Sequence, residues 1–323
     1  MNEGTSNWRA AGVSPPVANY ESGANVSGNS LEQFQKRHDF LVGIDSDGCA
    51  FDTMEVKHKE CFIPNTIRFF DLQPISKFAR EAAEFVNLYS RWRGINRFPA
   101  LTMTLDLLYE RPEVIKRGVR IPKLSSVVEW IGRESKLGMP ALKAEVERTN
   151  DPDVARTYAW SQAVNEAVDQ LVRGVPPFPY VRESLDKLSG VADVIVCSAT
   201  PGQALKKEWE EHGIAPYAGA ICGQEIGSKK EILAQAAKAG YRAENILMIG
   251  DAPGDLAAAK AVGAHFFPIN PGNEDASWER FFREASDRFL SGDIGGGYES
   301  ALVAEFEGYL PDKPPWHAGE RRA

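Results

Sequence analysis

The sequence lacks an excess of basic residues: 45 aspartates and glutamates outnumber 37 lysines and arginines, which gives a formal net charge of -8. Because nonspecific nucleic-acid binding depends on basic patches that displace counterions from phosphates, we expect no nucleic-acid partner. The sequence also lacks an apolar N-terminal signal core and any run near the roughly 20 apolar residues that span a bilayer. We therefore expect a cytoplasmic location and no membrane partner.

Disulfide and zinc-binding patterns are also missing. The four cysteines, Cys49, Cys61, Cys197 and Cys222, show no CxxC spacing, and the five histidines do not cluster at ligand spacing. Cys197 and Cys222 end apolar runs, where a small buried thiol is the usual finding. The pattern predicts reduced cysteines and no zinc site.

Short apolar runs with β-strand character alternate with helical stretches along the chain. The runs cover residues 39–45, 191–198, 219–222, 245–251 and 264–269. Strands that are separated by helices favour right-handed crossovers and a parallel, buried sheet. The sequence therefore predicts an α/β fold.

The first of these runs lies far upstream of the second, and the interval between them is typical of packed helices. Apolar residues recur on one face of 75–89 and of 164–172, and a proline-rich stretch at 176–179 then ends the helix. The predicted domain organisation is a disordered tail over 1–36, a core over 37–53 and 175–290, an all-helical insert over 54–174, and a C-terminal extension over 291–323 with a frayed end.

Two aspartates, Asp45 and Asp47, close the first apolar run. Carboxylates this close repel each other unless a cation or a proton intervenes, and the carboxyl ends of strands are where ligands bind in open α/β sheets. The pair therefore indicates a metal-assisted reaction centre. The alternative is an aspartate-rich turn that bonds only its local backbone.

A second acidic pair, Asp251 and Asp255, follows the fourth apolar run. We expect Pro253 and Gly254 to delay the next helix until Asp255, so that both carboxylates lie in a loop. Asp255 alone is also typical of a helix N-cap. If the two strands are neighbours, Asp45 and Asp251 can share one hard cation, and Mg²⁺ suits a site with few carboxylates.

Ser198 and Lys229 are candidate phosphate-binding residues. Ser198 ends a strand-like run, where a hydroxyl and the amides of a helix start can hold phosphate oxygens. Lys229 opens a predicted helix that runs to 239, where its charge opposes the helix dipole unless an anion binds there. Thr200 and Lys230 are the competing choices, and a strand-end cap and a solvated lysine are the alternative interpretations.

Basic residues in the helical insert are candidates for substrate binding. Arg91, Arg93 and Arg97 flank an indole at the end of a helix and could close over an anionic substrate. Basic residues at a helix C-terminus also favour the dipole, which is the alternative. The basic stretch at 57–59 is interpreted as a solvated helix face, and substrate contact is the alternative.

The order of these motifs resembles the haloacid dehalogenase-like hydrolase superfamily, in its phosphatase branch. Four motifs carry the resemblance: the acidic pair, the strand-end serine, the helix-opening lysine and the GDxxxD loop. The resemblance covers about 39–54 and 175–270. It implies a Rossmann-like parallel sheet with the first strand central, and a helical cap, inserted after the first motif, that closes over the site.

The resemblance also implies the principal catalytic roles. Asp45 would be the nucleophile that forms an aspartyl-phosphate, and Asp47 would be the general acid and base. Asp45, Asp251 and the backbone carbonyl of Asp47 would bind Mg²⁺. Dehalogenases and phosphonatases of this superfamily lack an acid at the position of Asp47, so phosphate-ester chemistry is favoured.

Supporting roles follow in the same way: Ser198 and Lys229 would hold the phosphoryl oxygens, and Asp255 would orient the metal shell. We therefore expect a magnesium-dependent phosphatase that acts on a small phosphorylated metabolite, such as a sugar phosphate, a phosphoglycolate-like compound or a nucleotide. A phosphomutase of the same fold, and a protein that binds a phosphorylated ligand without turnover, are the alternatives.

Overall fold

The structure, a computed structural model, describes residues 31–317. Within these residues five strands form one sheet: β1 Phe40–Ile44, β2 Ala192–Cys197, β3 Ala220–Cys222, β4 Ile246–Gly250 and β5 His265–Pro268. Their order is β3-β2-β1-β4-β5, and every pairing is parallel. The predicted α/β fold with a Rossmann-like parallel sheet is confirmed, and β1 is central.

The register brings the carboxyl ends of the central strands to one edge of the sheet. Ile44 of β1 pairs with Val196 of β2 on one side and with Ile249 of β4 on the other. The acidic residues that follow β1 and β4 therefore lie side by side, and the serine that follows β2 lies at the same edge.

The chain between β1 and β2 forms helices. The first, α1 Thr53–Val56, continues through a π-helical segment, Lys57–Phe62, into α2 Ile63–Phe69. After a short 3₁₀ turn at Gln73–Ile75 come α3 Ser76–Asn87, α4 Arg97–Glu110, α5 Pro112–Ile115, α6 Ser125–Arg133, α7 Met139–Thr149 and α8 Pro152–Leu171. Their apolar faces share one cluster, in which Phe98 packs edge-on against Trp130 at 5.1 Å between ring centroids. The insert therefore has a core of its own.

The remaining helices cover the sheet. They are α9 Val181–Leu188, α10 Gly202–Glu211, α11 Lys229–Ala237, α12 Pro253–Val262, α13 Glu274–Arg280, α14 Ser286–Ser291 and α15 Gly297–Tyr309, with a π-helical segment Phe281–Ala285 between α13 and α14 and 3₁₀ turns at Ala215–Tyr217 and Ala243–Asn245. Side chains of β1 alternate between the two faces: Val42 and Ile44 enter one apolar cluster, and Leu41 enters the other. Both faces of the sheet are thus buried.

The insert joins the core through a narrow neck. The backbone N–H of Phe178 donates to the carbonyl of Ala50 at 2.9 Å, and Phe51 and Pro177 form an isolated antiparallel bridge. The chain therefore leaves the core and returns to it at neighbouring points.

The two ends of the described chain differ from the sequence expectation. Residues 1–30 of the predicted tail lie outside the described residues, but Leu31 is buried in the core and Phe34 stacks on Tyr241 at 6.5 Å between ring centroids. At the other end, residues 311–317 of the predicted frayed segment pack on the insert through Trp316, and 318–323 lie outside the described residues.

Three further observations concern smaller predictions. The four cysteines are free and buried. None of the helices within 31–317 is long and apolar enough to cross a membrane. The expectation that α12 is delayed until Asp255 is wrong: α12 begins at Pro253, because proline at the first helical position has no N–H to lose. Asp255 lies in the first turn and accepts from the backbone N–H of Ala252 at 3.1 Å.

Candidate active site

Asp45 lies at the first position after β1 and is buried. Its backbone N–H donates to the carbonyl of Ile249 at 3.0 Å, which extends the β1–β4 pairing past the strand end. Its Oδ1 accepts from the backbone N–H of Ser46 at 2.8 Å, and its Oδ2 accepts from Lys229 Nζ at 2.6 Å. Both carboxylate oxygens of Asp45 are therefore held in place.

Three buried carboxylates meet at this edge. Asp45, Asp251 and Asp255 each place one oxygen within 4.8 Å of the others. Lys229, the first residue of α11, donates to Asp45 and to Asp255 at 2.6 Å each. Glycine at position 250 lets Asp255 lie close to the end of β4, because a Cβ at this position would lie 2.4 Å from the Cβ of Asp255.

The electrostatics of this cluster favour an additional positive charge. Burial raises the pKa of Asp45, and the charges of Asp255 and Asp251 raise it further, although Lys229 opposes this. Burial likewise raises the pKa of Asp255. Burial would lower the pKa of Lys229, but Asp255 and Asp45 hold it well above its ordinary value. Lys229 supplies one positive charge and Arg93, described below, supplies a second, against three acids.

The residues of the cluster fit a bound cation. Asp251 Oδ1 is buried and makes no hydrogen bond to any residue within 31–317. A buried carboxylate oxygen without a donor is costly, and coordination to a cation would satisfy it. Carboxylate oxygens at this spacing are ligands for a hard divalent ion. The cluster can therefore hold a metal ion.

Asp47 is surrounded by donors. Lys57 Nζ lies 2.6 Å from both of its carboxylate oxygens, while Thr53 donates to Oδ1 and Thr200 to Oδ2, each at 2.5 Å. Burial alone would raise the pKa of Asp47, but the Lys57 ammonium and these hydrogen bonds outweigh it and hold the pKa below its ordinary value. Asp47 is therefore a carboxylate in this arrangement.

A second cation from the insert reaches the acidic cluster. Arg93, in the loop between α3 and α4, donates from Nε to Asp251 Oδ2 at 2.6 Å, and both side chains are 1% exposed. Two glycines leave room for the Arg93 loop to approach the core. A Cβ at Gly48 would lie 2.5 Å from Arg93 Nη2, and a Cβ at Gly94 would lie 3.0 Å from the Cβ of Ala252. The insert and the core are thus joined by a buried ion pair.

The two predicted phosphate-binding residues lie at the same edge, in different contacts. Lys229 contacts the acidic cluster, whereas its competitor Lys230 is exposed. Ser198 is buried, and its Oγ accepts from the backbone N–H of Thr200 at 3.2 Å. The Thr200 hydroxyl, the competing choice, is the one that contacts Asp47.

The structure separates the three arginines that were predicted together. Arg93 enters the acidic cluster, as described above. Arg91 lies on the surface and pairs with Asp312 at 2.7 Å. Arg97 lies inside the insert, where its Nη1 donates to Asn165 at 2.7 Å and to Ser161 at 3.1 Å.

Lys57 is the principal site residue that the sequence interpretation missed. The stretch 57–59 is not a uniformly solvated face, because Lys57 binds Asp47 and the ring of His58 stacks on Phe62 at 4.7 Å between centroids. Thr53 and Lys57 are four residues apart, a spacing that places two side chains on one helix face. That spacing, directly after an acidic pair, was the available signal.

Glu208 of α10 is a further acid beside the site and is partly buried. Its Oε2 accepts from the hydroxyl of Ser46 at 3.2 Å, and that hydroxyl accepts from Trp209 Nε1 at 3.0 Å. Burial, together with the nearby charge of Asp47, raises the pKa of Glu208 to about 7. Glu208 therefore titrates in the physiological range.

Sheet and site together define an α/β protein with an acidic, metal-type centre at the carboxyl ends of its two central strands. The family model described as haloacid dehalogenase-like hydrolase matches residues 69–263, which is more than half of the 323 residues. The chain therefore belongs to the haloacid dehalogenase-like hydrolases. The matched range contains Ser198, Lys229, Asp251 and Asp255, and begins after Asp45 and Asp47.

Solved structures give weaker likenesses. A haloacid dehalogenase-like family hydrolase from Streptococcus pneumoniae is 14% identical, with 87% of this chain and 97% of that chain covered and a TM-score of 0.43. A HAD-superfamily hydrolase of subfamily IA from Geobacter sulfurreducens is 17% identical, with 71% and 86% covered and a TM-score of 0.36. No curated protein matches the sequence. The family assignment therefore depends on the family model.

Proposed function

We propose that this hydrolase is a magnesium-dependent phosphatase that cleaves a small phosphomonoester through an aspartyl-phosphate on Asp45. One observation carries the proposal: the buried carboxylates of Asp45, Asp251 and Asp255 each place an oxygen within 4.8 Å of the others, and the Lys229 ammonium binds Asp45 and Asp255. A nucleophilic carboxylate beside positive charge suits attack on an anionic phosphoryl group, because the charges offset the repulsion between the two anions.

The first half of the reaction transfers the phosphoryl group. An oxygen of Asp45 forms a bond to phosphorus as the bond from phosphorus to the leaving oxygen breaks, and Asp47 donates the proton that converts the leaving group to an alcohol. Asp47 must be protonated for this step, and Lys57 opposes protonation. Lys57 thus sets the pH range of the step.

The second half of the reaction restores the enzyme. Water attacks phosphorus, Asp47 accepts its proton, and inorganic phosphate leaves Asp45 as a free carboxylate. The donors around Asp47 hold it in the basic form that this step needs. Lys229, with Ser198 at the same edge, would hold the phosphoryl oxygens.

A bound Mg²⁺ would be held by Asp45, Asp251 and the backbone carbonyl of Asp47, with Asp255 and Lys229 around it. The ion would supply positive charge to the phosphoryl oxygens. Asp251 is the ligand that the structure leaves with an unsatisfied buried oxygen.

Hydrolysis of 4-nitrophenyl phosphate, measured with Mg²⁺ and with EDTA, tests the proposal. We expect turnover only with the metal and a loss of at least about 10⁴-fold in Asp45→Asn, because removal of a nucleophile leaves only the contributions of binding and charge. Asp39→Asn is the control, since this aspartate is exposed and pairs with Lys36 at 3.0 Å. Undiminished turnover by folded Asp45→Asn would refute the assignment of Asp45 as the nucleophile.

A panel of phosphorylated metabolites extends the test to the substrate. We expect release of inorganic phosphate from sugar phosphates, phosphorylated hydroxy acids or nucleotides. Transfer of the phosphoryl group to a second sugar position without phosphate release would instead show a phosphomutase. Stoichiometric binding without turnover of any compound would show a phospho-ligand-binding protein.

A further inference from the structure

The C-terminal segment Pro311–His317 crosses from the core to the insert. It continues from α15, whose Phe306 packs against Phe266 of β5 at 5.7 Å between ring centroids. Beyond α15, the ring of Trp316 packs edge-on against Phe85 of α3 at 5.9 Å. The guanidinium carbon of Arg111 lies 4.3 Å from the centroid of the same indole. The segment is therefore anchored on both domains.

This segment also holds the loop between α3 and α4 from its outer side. The carbonyl of Pro311 accepts from the backbone N–H of Arg91 at 3.5 Å, and Asp312 pairs with the Arg91 guanidinium at 2.7 Å. Phe85, which contacts Trp316, also packs edge-on against Trp92 at 5.8 Å. The two residues that precede Arg93 are thus contacted, directly or through one ring, by the C-terminal segment.

Arg93 itself faces the opposite way, into the acidic cluster. Its backbone N–H donates to the carbonyl of Ser90 at 2.9 Å, its Nη1 donates to the carbonyl of Leu88 at 2.8 Å, and its Nε donates to Asp251. The side chain is braced by its own loop, so a displacement of the loop displaces the guanidinium. Small displacements of positioning groups cost large factors in rate.

We infer that the C-terminal segment Pro311–His317 is a strap that positions Arg93 and, through its bond to Asp251, the carboxylate that we propose as a metal ligand. Trp316 and Asp312 are positioning residues that act on the reaction only through this arginine. The expected effect on catalysis rests on the proposed function. The expected effect on the loop between α3 and α4 rests on the structure alone. The indole carries most of the effect, because the Arg91–Asp312 pair is exposed and such pairs contribute little.

Two measurements test the strap. The first compares kcat/KM for 4-nitrophenyl phosphate in Trp316→Ala, made in the wild-type chain and in Arg93→Ala. We expect a loss of about tenfold in the wild-type chain and less than about twofold in Arg93→Ala, because residues that act through one group are not additive. Lys313→Ala, an exposed change within the strap, is the control and should leave kcat/KM unchanged. Equal losses in both backgrounds would overturn the inference.

The second measurement needs no activity and therefore decides the matter even if the phosphatase proposal fails or Arg93→Ala is too slow to assay. Amide hydrogen exchange is compared between the full-length wild-type chain and full-length Trp316→Ala, both without substrate. We expect faster exchange across residues 88–96, with unchanged exchange in α7 and in the strands as the internal check on folding. Unchanged exchange in 88–96 would overturn the inference.

Discussion

Lys57 and Asp47 form a bidentate ion pair across the boundary between the insert and the core, with the ammonium nitrogen 2.6 Å from each carboxylate oxygen. A residue of the insert therefore controls the protonation of the residue to which we give the general acid and base roles.

Removing this cation should move the pH dependence of phosphoryl transfer. Lys57 lowers the pKa of Asp47, so in Lys57→Met that pKa rises because the neighbouring positive charge is lost. The protonated acid then persists to higher pH, and the alkaline limb of the kcat/KM profile shifts upward. Lys57→Arg, which keeps the charge, should retain the wild-type limb. A profile that Lys57→Met leaves in place would contradict the role of Lys57.

Asp251 should be required for metal binding. Asp251→Asn should weaken Mg²⁺ binding by more than the roughly 10–100-fold typical of outer-shell partners, because the change removes a charged ligand. Isothermal titration calorimetry measures this without substrate. Asp275→Asn, an exposed acid in α13, is the control and should bind as the wild type does. Unaltered affinity in Asp251→Asn would place the metal elsewhere.

Lys229 should stabilise the fold when no metal is present. Lys229→Met removes the ammonium that the buried Asp45 and Asp255 share and should lower the free energy of unfolding by about 3–5 kcal/mol in EDTA. Added Mg²⁺ should recover more stability in this variant than in the wild type. Lys230→Met, at the neighbouring exposed position, is the control. In chemical denaturation it should change neither the free energy of unfolding in EDTA nor the stability that Mg²⁺ adds. Equal destabilisation by the two substitutions would show that the acidic cluster does not depend on Lys229.

Glu208 should make stability depend on pH near neutrality. Its pKa rises from 4.5 to about 7 on folding, so the folded state resists ionisation and the wild type loses stability as pH rises between these values. The shift corresponds to about 3 kcal/mol, which partial exposure reduces to about 2 kcal/mol. Glu208→Gln cannot ionise and should exceed the wild type by this amount above pH 7.

Denaturant unfolding at pH 4 and at pH 8.5 checks the Glu208 prediction, because the two proteins should be equal at the acid end. Glu210→Gln, an exposed position of the same helix, is the control and should follow the wild type at both values. A constant difference across the range would assign the effect to packing instead of ionisation.

Local pattern was sufficient to predict the positions of the strands. Apolar runs that end in Asp45, Ser198 and Asp251 predicted strands within one or two residues of their observed bounds, because buried parallel strands are apolar on both faces. The central place of β1 came from the family resemblance, since nothing in the run itself specifies its partners. The helix at Pro253 began earlier than expected because the N1 preference of proline outweighed its disruptive effect.

Contacts between the insert and the core were not available from pattern. Arg93 meets Asp251 across 158 positions of sequence, and its neighbour Arg91 points outward to Asp312, although the two arginines looked alike in sequence. Which of them faces the cluster depends on how the loop is braced. Trp316 likewise looked like part of a frayed end in the sequence. Its partner on α3 is distant in sequence, so local pattern gives no sign of the contact.

The neck at Ala50 and Phe178 has a consequence for how this chain could have been assembled. The backbones of Ala50 and Phe178 are bonded to each other, so a short turn could connect them in place of the intervening helices. Those helices already have their own apolar cluster. Separate expression of each half, with the core closed by such a turn, should give two independently folded bodies. The insert and the nucleophile would then belong to two bodies, and a replacement insert would have to supply the cations that Lys57 and Arg93 bring to the core.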